Sequence, residues 1–199
     1  MDFIITPEKT AIVTGVSKSA KILLKDNDLP LEILDYGCGK LRNSKFLLNE
    51  GFEVSILDTS KQLSSLSEMD LVLFKNIYRL EDLNLNLNLN YIKRYKAILC
   101  SFVLNVIPNE TDRLIALNNI YTILNNNGTL YLEVRGKRFL KNAKSKIEYN
   151  DGYVLGAGKI KTFQKGFNKD DLYELINKTS FKIDKILVNG DSLIAICKK

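Results

Sequence analysis

Histidine is absent from this chain of 199 residues. Its absence removes the most common general base and the most common metal ligand in proteins. Any acid–base chemistry would then depend on carboxylates, tyrosine, lysine or cysteine, or the reaction would need little proton transfer. We therefore predict no metal site.

Cysteine, proline and long apolar runs are also scarce. The three cysteines, Cys38, Cys100 and Cys197, form no Cys-x-x-Cys pair, so we predict buried thiols and neither a disulfide framework nor a zinc site. Three prolines and no Gly/Ser-rich linker predict one domain over residues 1–199. The chain has neither an apolar run of about 18 residues nor a signal peptide at its start. We therefore expect a cytoplasmic protein without a membrane partner.

Basic residues exceed acidic ones, at 29 against 23, which gives a net charge of +6. Such a balance suits a polyanionic partner, so nucleic acid is one candidate. A solvated, lysine-rich surface explains the same charge, and the sequence leaves both interpretations open.

Short apolar strands alternate with segments of helical period along the chain. We predict strands over residues 32–35, 53–57, 71–74, 97–102, 129–134, 181–188 and 192–198. The predicted helices cover residues 17–25, 43–50, 60–69, 109–125 and 169–177. The helix at 17–25 lies in an N-terminal helical extension, residues 1–30. The alternating Leu–Asn run at 83–90 is interpreted as a spacer, because asparagine is a poor strand former.

Crossover helices between strands predict a parallel, doubly wound sheet. The last two strands are joined by Asn189-Gly190-Asp191, a turn that only an antiparallel pair can use. The predicted fold class is α/β, doubly wound and Rossmann-like. Its sheet is mostly parallel and seven-stranded, with an antiparallel C-terminal edge hairpin.

The segment from Ile33 to Lys40 joins a strand, a turn containing Gly37 and Gly39, and a helix. Glycines let the backbone approach a ligand closely, and a helix N-terminus directs amide N–H groups at it. Asp58 ends the next strand, where a carboxylate can accept hydrogen bonds from ribose hydroxyls. Together they predict an adenosine-containing ligand. The alternatives are glycines that serve only the turn and an aspartate that caps a helix.

A dinucleotide is less suitable as this ligand. Its pattern requires a glycine or alanine at the sixth position, where this chain has Arg42. Asp35, directly before the turn, would repel a pyrophosphate but can help to organise a site for the ammonium group of a methionine moiety.

The Asp35–Gly39 stretch resembles motif I of class I S-adenosylmethionine (SAM) dependent methyltransferases, and Asp58 resembles their ribose-binding acid. The resemblance extends from about Ile33 to the C-terminus and implies SAM as cofactor. It places Asn76 and Ile77 at the adenine, and residues 101–108 below the methyl-transfer site. The cofactor contacts that it implies are Asp35, Gly37, Cys38, Gly39, Asp58, Thr59, Asn76, Ile77, Ser101 and Phe102.

The resemblance also suggests where catalysis would occur. Ser101 and Asn105 are the candidates for groups beside the reacting methyl, and Asn105 is the predicted catalytic residue. A purely local role, in which Asn105 satisfies a backbone group, is the alternative. The chain departs from the family pattern at Leu41, where a third glycine is frequent, and at Asn76, where aspartate is common.

A narrower similarity concerns residues 103–107, Arg113 and residues 162–164. These segments are similar to a group of methyltransferases associated with DNA-modification and phage-defence loci. However, the chain lacks the Pro-Pro-Tyr/Phe signature of DNA amino-methyltransferases and the Pro-Cys of C5-cytosine enzymes. The Gly- and Tyr-rich stretch at 149–158 is interpreted as either a lid or a surface loop.

The predicted function is transfer of a methyl group from SAM to an unidentified acceptor, with nucleic acid among the candidates. The alternative is a non-catalytic module on the same fold that binds an adenosyl ligand or nucleic acid.

Overall fold

The computed structural model describes residues 3–12, 14–84, 92–141, 143 and 145–199. Its strands are β1 (Ile4–Ile5), β2 (Glu32–Tyr36), β3 (Glu53–Asp58), β4 (Ile77–Arg79), β5 (Tyr95–Ser101), β6 (Leu124–Arg135), β7 (Lys146–Tyr149), β8 (Gly152–Leu155), β9 (Ile160–Gln164), β10 (Lys182–Asn189) and β11 (Ser192–Lys198). The α-helices are α1 (Lys18–Leu23), α2 (Arg42–Asn49), α3 (Ser60–Leu63), α4 (Glu68–Leu71), α5 (Leu80–Asn84), α6 (Glu110–Ile123), α7 (Lys137–Lys141) and α8 (Lys169–Asn177). Short 3-10 turns cover Pro7–Thr10 and Leu104–Val106.

The main sheet has seven strands in the order β10-β11-β6-β5-β2-β3-β4. Strands β4, β3, β2, β5 and β6 pair in parallel, whereas β11 pairs antiparallel with both β6 and β10. This arrangement confirms the predicted doubly wound α/β fold and its C-terminal edge hairpin. The strand order reverses at β2 and β5, and ligands bind at such switch points in open α/β sheets.

Helices pack on both faces of this sheet, so each face buries its own apolar core. On one face, Ala20 and Leu23 of α1 and Leu47 of α2 are buried against the sheet. On the other face, α6 and α8 contribute buried side chains that include Leu117 and Leu172. Burial of the strands on both sides explains why they read as continuous apolar runs.

The third strand of the sheet lies later in the chain than predicted. The apolar run at 71–74 is not a strand: α4 covers residues 68–71, and Val72 and Leu73 are exposed. Ser67 caps α4 by accepting a hydrogen bond from the Asp70 amide, which directs this segment into a helix. The third strand is β4, which pairs with β3. The helix predicted over 60–69 is correspondingly two short helices, α3 and α4.

A second, smaller sheet has the order β1-β9-β8-β7. Strand β1 joins it in parallel with β9, through hydrogen bonds from Ile4 N to Lys159 O and from Thr6 N to Lys161 O, both 2.8 Å. The N-terminal extension predicted as helical therefore contains a strand and a 3-10 turn before α1. The stretch at 149–158, interpreted as a lid or a loop, contributes strand β8.

Two further sequence predictions concern the Leu–Asn repeat and membrane-spanning segments. The Leu–Asn repeat extends into residues 85–91, which lie outside the described residues. Within the described part of the chain, none of the helices combines the length and the apolar character that a membrane crossing requires.

Candidate functional site

The turn after β2 needs glycine at two positions. Gly37 and Gly39 have φ angles of +76° and +54°, in the left-handed region that glycine adopts without strain. A Cβ on Gly37 would lie 2.2 Å from Val103 Cγ2, so no side chain fits there. The Gly37 and Cys38 amides both donate to Leu57 O, at 2.8 and 3.2 Å. The turn is therefore fixed against the end of β3.

Asp58 ends β3 and faces this turn. Its Oδ2 accepts from the Gly39 amide at 2.7 Å and its Oδ1 from the Thr59 amide at 2.8 Å. Thr59, and not Asp58, caps α3, because its side chain accepts from the Gln62 amide. Burial raises the pKa of Asp58, while the two amide donors oppose that rise. Each carboxylate oxygen keeps a lone pair for a further donor.

Leu41 occupies the position at which a third glycine is frequent, and it adopts the corresponding backbone conformation. Its φ is +65°, which costs a non-glycine residue about 1–2 kcal/mol. Its side chain is completely buried in the core beside α2. Since the side chain points into the core, it does not line the cavity beside the glycine turn.

A cavity of about 340 Å³ lies between the glycine turn, the ends of β3, β5 and β6, and the small sheet. The segment that follows β1 covers one side of it, and β8 and β9 cover another. Its lining includes Pro7, Thr10, Ile12, Gly37, Cys38, Gly39, Lys40, Arg42, Asp58, Thr59, Ser101, Phe102, Asn105, Val106, Arg135, Phe139, Leu155, Thr162 and Gln164.

Asn105 lies in the 3-10 turn after β5 and is 1% exposed. Its Nδ2 donates to Gln164 Oε1 at 2.9 Å, while its backbone carbonyl accepts from the Lys165 amide at 2.8 Å. Its Oδ1 has no hydrogen-bond partner among the described residues. A buried acceptor without a partner costs about 1–3 kcal/mol.

Eight of the eleven residues predicted for the site line this cavity: Gly37, Cys38, Gly39, Asp58, Thr59, Ser101, Phe102 and Asn105. Asp35 instead lies beneath the turn, where its Oδ2 accepts from Ser44 Oγ at 2.5 Å. Asn76 precedes β4 rather than following the third strand, and its Nδ2 donates to Ser55 Oγ. Ile77 begins β4 and is half-exposed outside the cavity.

Ser101 faces a buried polar cluster as well as the cavity. Its Oγ lies 2.6 Å from Ser19 Oγ and donates to Ser17 Oγ at 3.1 Å. The buried Glu133 accepts from the Ser19 amide at 2.8 Å. These contacts fix the start of α1 beneath the site, and they engage the hydroxyl that we placed beside a reacting methyl.

The segments of the narrower similarity meet near Asn105. Thr162 and Gln164 line the cavity. Arg113 is completely buried, donates to Ile107 O at 2.7 Å and forms an ion pair with Asp151. These residues therefore support the turn that carries Asn105. The association with phage-defence loci stays a prediction.

Sequence reasoning missed the side chains that gather around Phe102 at the far end of the cavity. The Arg135 guanidinium lies over the rings of Phe102 and Phe139, 4.3 and 4.5 Å from their centroids. Arg42 lies 5.4 Å from the same Phe102 ring. Phe102 itself has a φ of +61°, a strained conformation that often accompanies functional sites. No sequence signal brings these residues together, because they follow three different strands.

The comparisons with known proteins concern the family and the fold. The family model described as a methyltransferase domain matches residues 15–186. No curated protein sequence matches the chain.

Solved structures with similar folds include SAM-dependent methyltransferases. One from Clostridium acetobutylicum is 16% identical, with 90% of this chain and 89% of that chain covered, at a TM-score of 0.67. One from Methanosarcina mazei is 20% identical, with 88% and 96% covered, also at 0.67. The 1,6-didemethyltoxoflavin-N1-methyltransferase of Burkholderia thailandensis, with 1,6-didemethyltoxoflavin and S-adenosylhomocysteine bound, is 16% identical, with 91% and 76% covered, at a TM-score of 0.64.

Proposed function

Because the chain belongs to the methyltransferase-domain family, we propose that it transfers a methyl group from SAM to a small acceptor held in the cavity. The observation that carries the proposal is the pairing of Asp58 with the Gly37–Gly39 turn at the carboxyl edge of the sheet. The fold of SAM-dependent methyltransferases supports it.

The residues at this edge suit the cofactor. The Gly37 position admits no side chain because Val103 occupies that space, so the turn packs directly against the segment after β5, and both Gly37 and Gly39 line the cavity. The Asp58 carboxylate is held by two amides and retains lone pairs for the two ribose hydroxyls. Cys38 contributes a neutral surface, since burial raises the pKa of its thiol. Asp35 supports the turn from below through its hydrogen bond with Ser44, and its contact with the cofactor stays a prediction.

The cofactor supplies an activated methyl group on a sulfonium. The chain's own contribution is to hold the acceptor in line and to exclude water, and such positioning is worth about 7–11 kcal/mol in oriented reactions. The small sheet and Pro7–Thr10 cover the cavity. Asn105 borders the cavity, and its amide is held by Gln164 Oε1, so it shapes the wall on the acceptor's side. Without histidine, the site suits an acceptor that needs little help in losing a proton.

Thermal unfolding with S-adenosylhomocysteine tests the cofactor site. At about 100 times the dissociation constant, binding adds roughly 2.7 kcal/mol, so the melting temperature should rise by about 5–10 °C. We expect Asp58→Ala to abolish the rise and Asp184→Ala, at an exposed position of β10, to retain it. Equal shifts for both variants, or none for the wild type, would refute the assignment.

Radiolabelled SAM then tests transfer itself. We expect label to move to a small-molecule pool prepared from cells, and Asn105→Leu to reduce the rate more than it reduces S-adenosylhomocysteine affinity. Binding without transfer to small molecules, protein, DNA or RNA would favour the non-catalytic alternative.

A further inference from the structure

The guanidinium N–H groups of Arg135 are available to a ligand. The Arg135 guanidinium lies 4.3 Å from the ring centroid of Phe102 and 4.5 Å from that of Phe139. Both phenylalanines line the cavity. A guanidinium donates through several N–H groups that lie in its own plane. Among the described residues, those of Arg135 have no hydrogen-bond acceptor, so they are free for a ligand.

Arg135 has no protein partner for these N–H groups. Its side chain makes no ion pair within the described part of the chain. Arg42, on the same Phe102 ring, likewise makes none and donates one N–H to Gly15 O at 2.7 Å. Desolvation lowers the pKa of both groups, and that of Arg135 is lowered further by the neighbouring Arg42. Two partly buried guanidinium groups beside the same aromatic ring repel each other, and an anion bound between them would offset that repulsion.

The carboxylates near this pair do not supply that anion. Glu133 is buried and accepts from the Ser19 amide, and it lies beyond ion-pair distance of both arginines. Asp191 pairs with Arg138 at 3.4 Å. Asp35 lies beneath the turn, bound to Ser44. These charges moderate the positive potential but leave the Arg135 donors unoccupied.

The location separates Arg135 from the ribose end of the cofactor site. Arg135 ends β6, which is three strand spacings from β3 and its Asp58 in the order β6-β5-β2-β3. At roughly 4.8 Å per strand, the separation is about 14 Å. Arg135 therefore lies past the glycine turn, in the half of the cavity that also contains Asn105.

We propose that Arg135, held between Phe102 and Phe139 and flanked by Arg42, binds a carboxylate or phosphate group of the methyl acceptor. The inference rests on the proposed function and adds the chemical class of the acceptor: a small molecule with an acidic group. A planar guanidinium edge matches two oxygens of such a group. Arg135 is thus a specificity determinant that is distinct from the cofactor contacts.

Inorganic phosphate serves as the probe for the anion subsite. Thermal unfolding of the protein saturated with S-adenosylhomocysteine is measured at constant ionic strength, with phosphate replacing chloride. At ten times its dissociation constant, phosphate should raise the melting temperature by about 3–6 °C. The rise should disappear in Arg135→Gln and persist in Arg138→Gln, which removes the same charge from an exposed neighbour.

Several outcomes would overturn the inference. These are no phosphate shift in the wild type, an equal shift in Arg135→Gln, or an equal loss in Arg138→Gln. A retained response of Arg135→Gln to S-adenosylhomocysteine shows that this variant is folded. If the wild type fails to bind S-adenosylhomocysteine, the proposed function fails, while phosphate titration of the ligand-free protein still tests the arginine site.

A second comparison distinguishes the acceptor from the cofactor's own carboxylate as the source of the anion. Arg135→Gln should bind S-adenosylhomocysteine and 5′-methylthioadenosine, which lacks the carboxylate, as tightly as the wild type does. A loss confined to S-adenosylhomocysteine would assign the arginine to the cofactor and refute the acceptor role. Likewise, acceptor activity should lie in the small-molecule fraction retained by an anion exchanger, and activity only in the flow-through would contradict the inference.

Discussion

Asp35 is a carboxyl group that is shielded from water beneath the glycine turn. Burial raises its pKa to about 6, against the opposing hydrogen bond from Ser44 Oγ. The folded protein therefore binds this proton more tightly than the unfolded chain, whose aspartate titrates near 3.9. Its contribution to the free energy of unfolding is complete below about pH 4 and is lost as the pH rises to about 6.

We predict that Asp35→Asn abolishes this decrease in the free energy of unfolding with rising pH. Asparagine keeps an acceptor for the Ser44 hydroxyl but cannot ionise. Relative to the wild type, the variant should gain up to about 3 kcal/mol between pH 4 and pH 7. Urea unfolding at four pH values measures the difference. If the free energy of unfolding changed with pH in the same way for the variant and the wild type, the raised pKa of Asp35 would be contradicted.

Single residues of the site were predictable where their position along a strand determines their role. Gly37, Gly39 and Asp58 follow directly after strands, and the carboxyl ends of parallel strands share one edge of the sheet. Arg135 and Phe139 were not predictable, because their convergence with Phe102 depends on side-chain packing across strands. Leu41 shows the same limit: the sequence identifies it only as a departure from a frequent glycine, and the structure is needed to place its side chain in the core.

Strand β1 is a two-residue element that anchors the segment after it, which covers one side of the cavity. Its attachment depends on the Ile4 and Thr6 amides, which donate to β9. We predict that Ile4→Pro, which lacks the donor, loosens this cover and weakens S-adenosylhomocysteine binding several-fold, with little change in the melting temperature of the free protein. Calorimetric titration measures the affinity.

Ile4→Ala is the matched control for this prediction. It keeps the amide and removes a side chain that is 68% exposed, so its affinity should equal that of the wild type. If both variants bind like the wild type, the cover does not contribute to ligand retention.

At the level of elements, the errors of sequence reasoning have specific causes. The run at 71–74 has strand composition, but the cap at Ser67 precedes it and favours a helix. Strand β4 has only three residues and sits at an exposed sheet edge, so no period-two pattern reveals it. Strands β7 to β9 are four or five residues long, and the connections between them are rich in turn-forming asparagine, aspartate and glycine, which gives the region the composition of a loop.

For the whole molecule, the two sheets differ in how they are buried. Strands β5 and β6 lie at the centre of the seven-stranded sheet between two layers of helices, whereas β7 and β1 are edges of a small sheet with exposed side chains. We predict that amides of β5 and β6 exchange with deuterium only on global unfolding. Amides of β8 and β9 should exchange by local opening.

S-adenosylhomocysteine should slow exchange in β8 and β9 more than in β5 and β6, since the small sheet covers the ligand. Hydrogen exchange with mass spectrometry measures both sets. Uniform slowing across the two sheets would indicate that the ligand stabilises the molecule only globally.

The overall architecture was predictable because alternation of strands and helices fixes a doubly wound sheet by connectivity alone. The Asn-Gly turn fixed the antiparallel edge in the same way. The small sheet escaped prediction because β1 pairs with β9 across more than 150 residues of sequence. Nothing in either segment identifies the other as its partner. Involvement of nucleic acid and a cytoplasmic location stay predictions.

The pairing of Ile4 with Ile160 has a kinetic consequence. Closing so large a loop costs chain entropy that no local contact offsets, so contacts of this separation form late in folding. On a ribosome, β1 emerges first and waits for β9 before it can pair. The parallel strands β2 to β6 can form without it. In a nascent chain, the glycine turn and Asp58 would therefore be in place before the small sheet that covers them has formed.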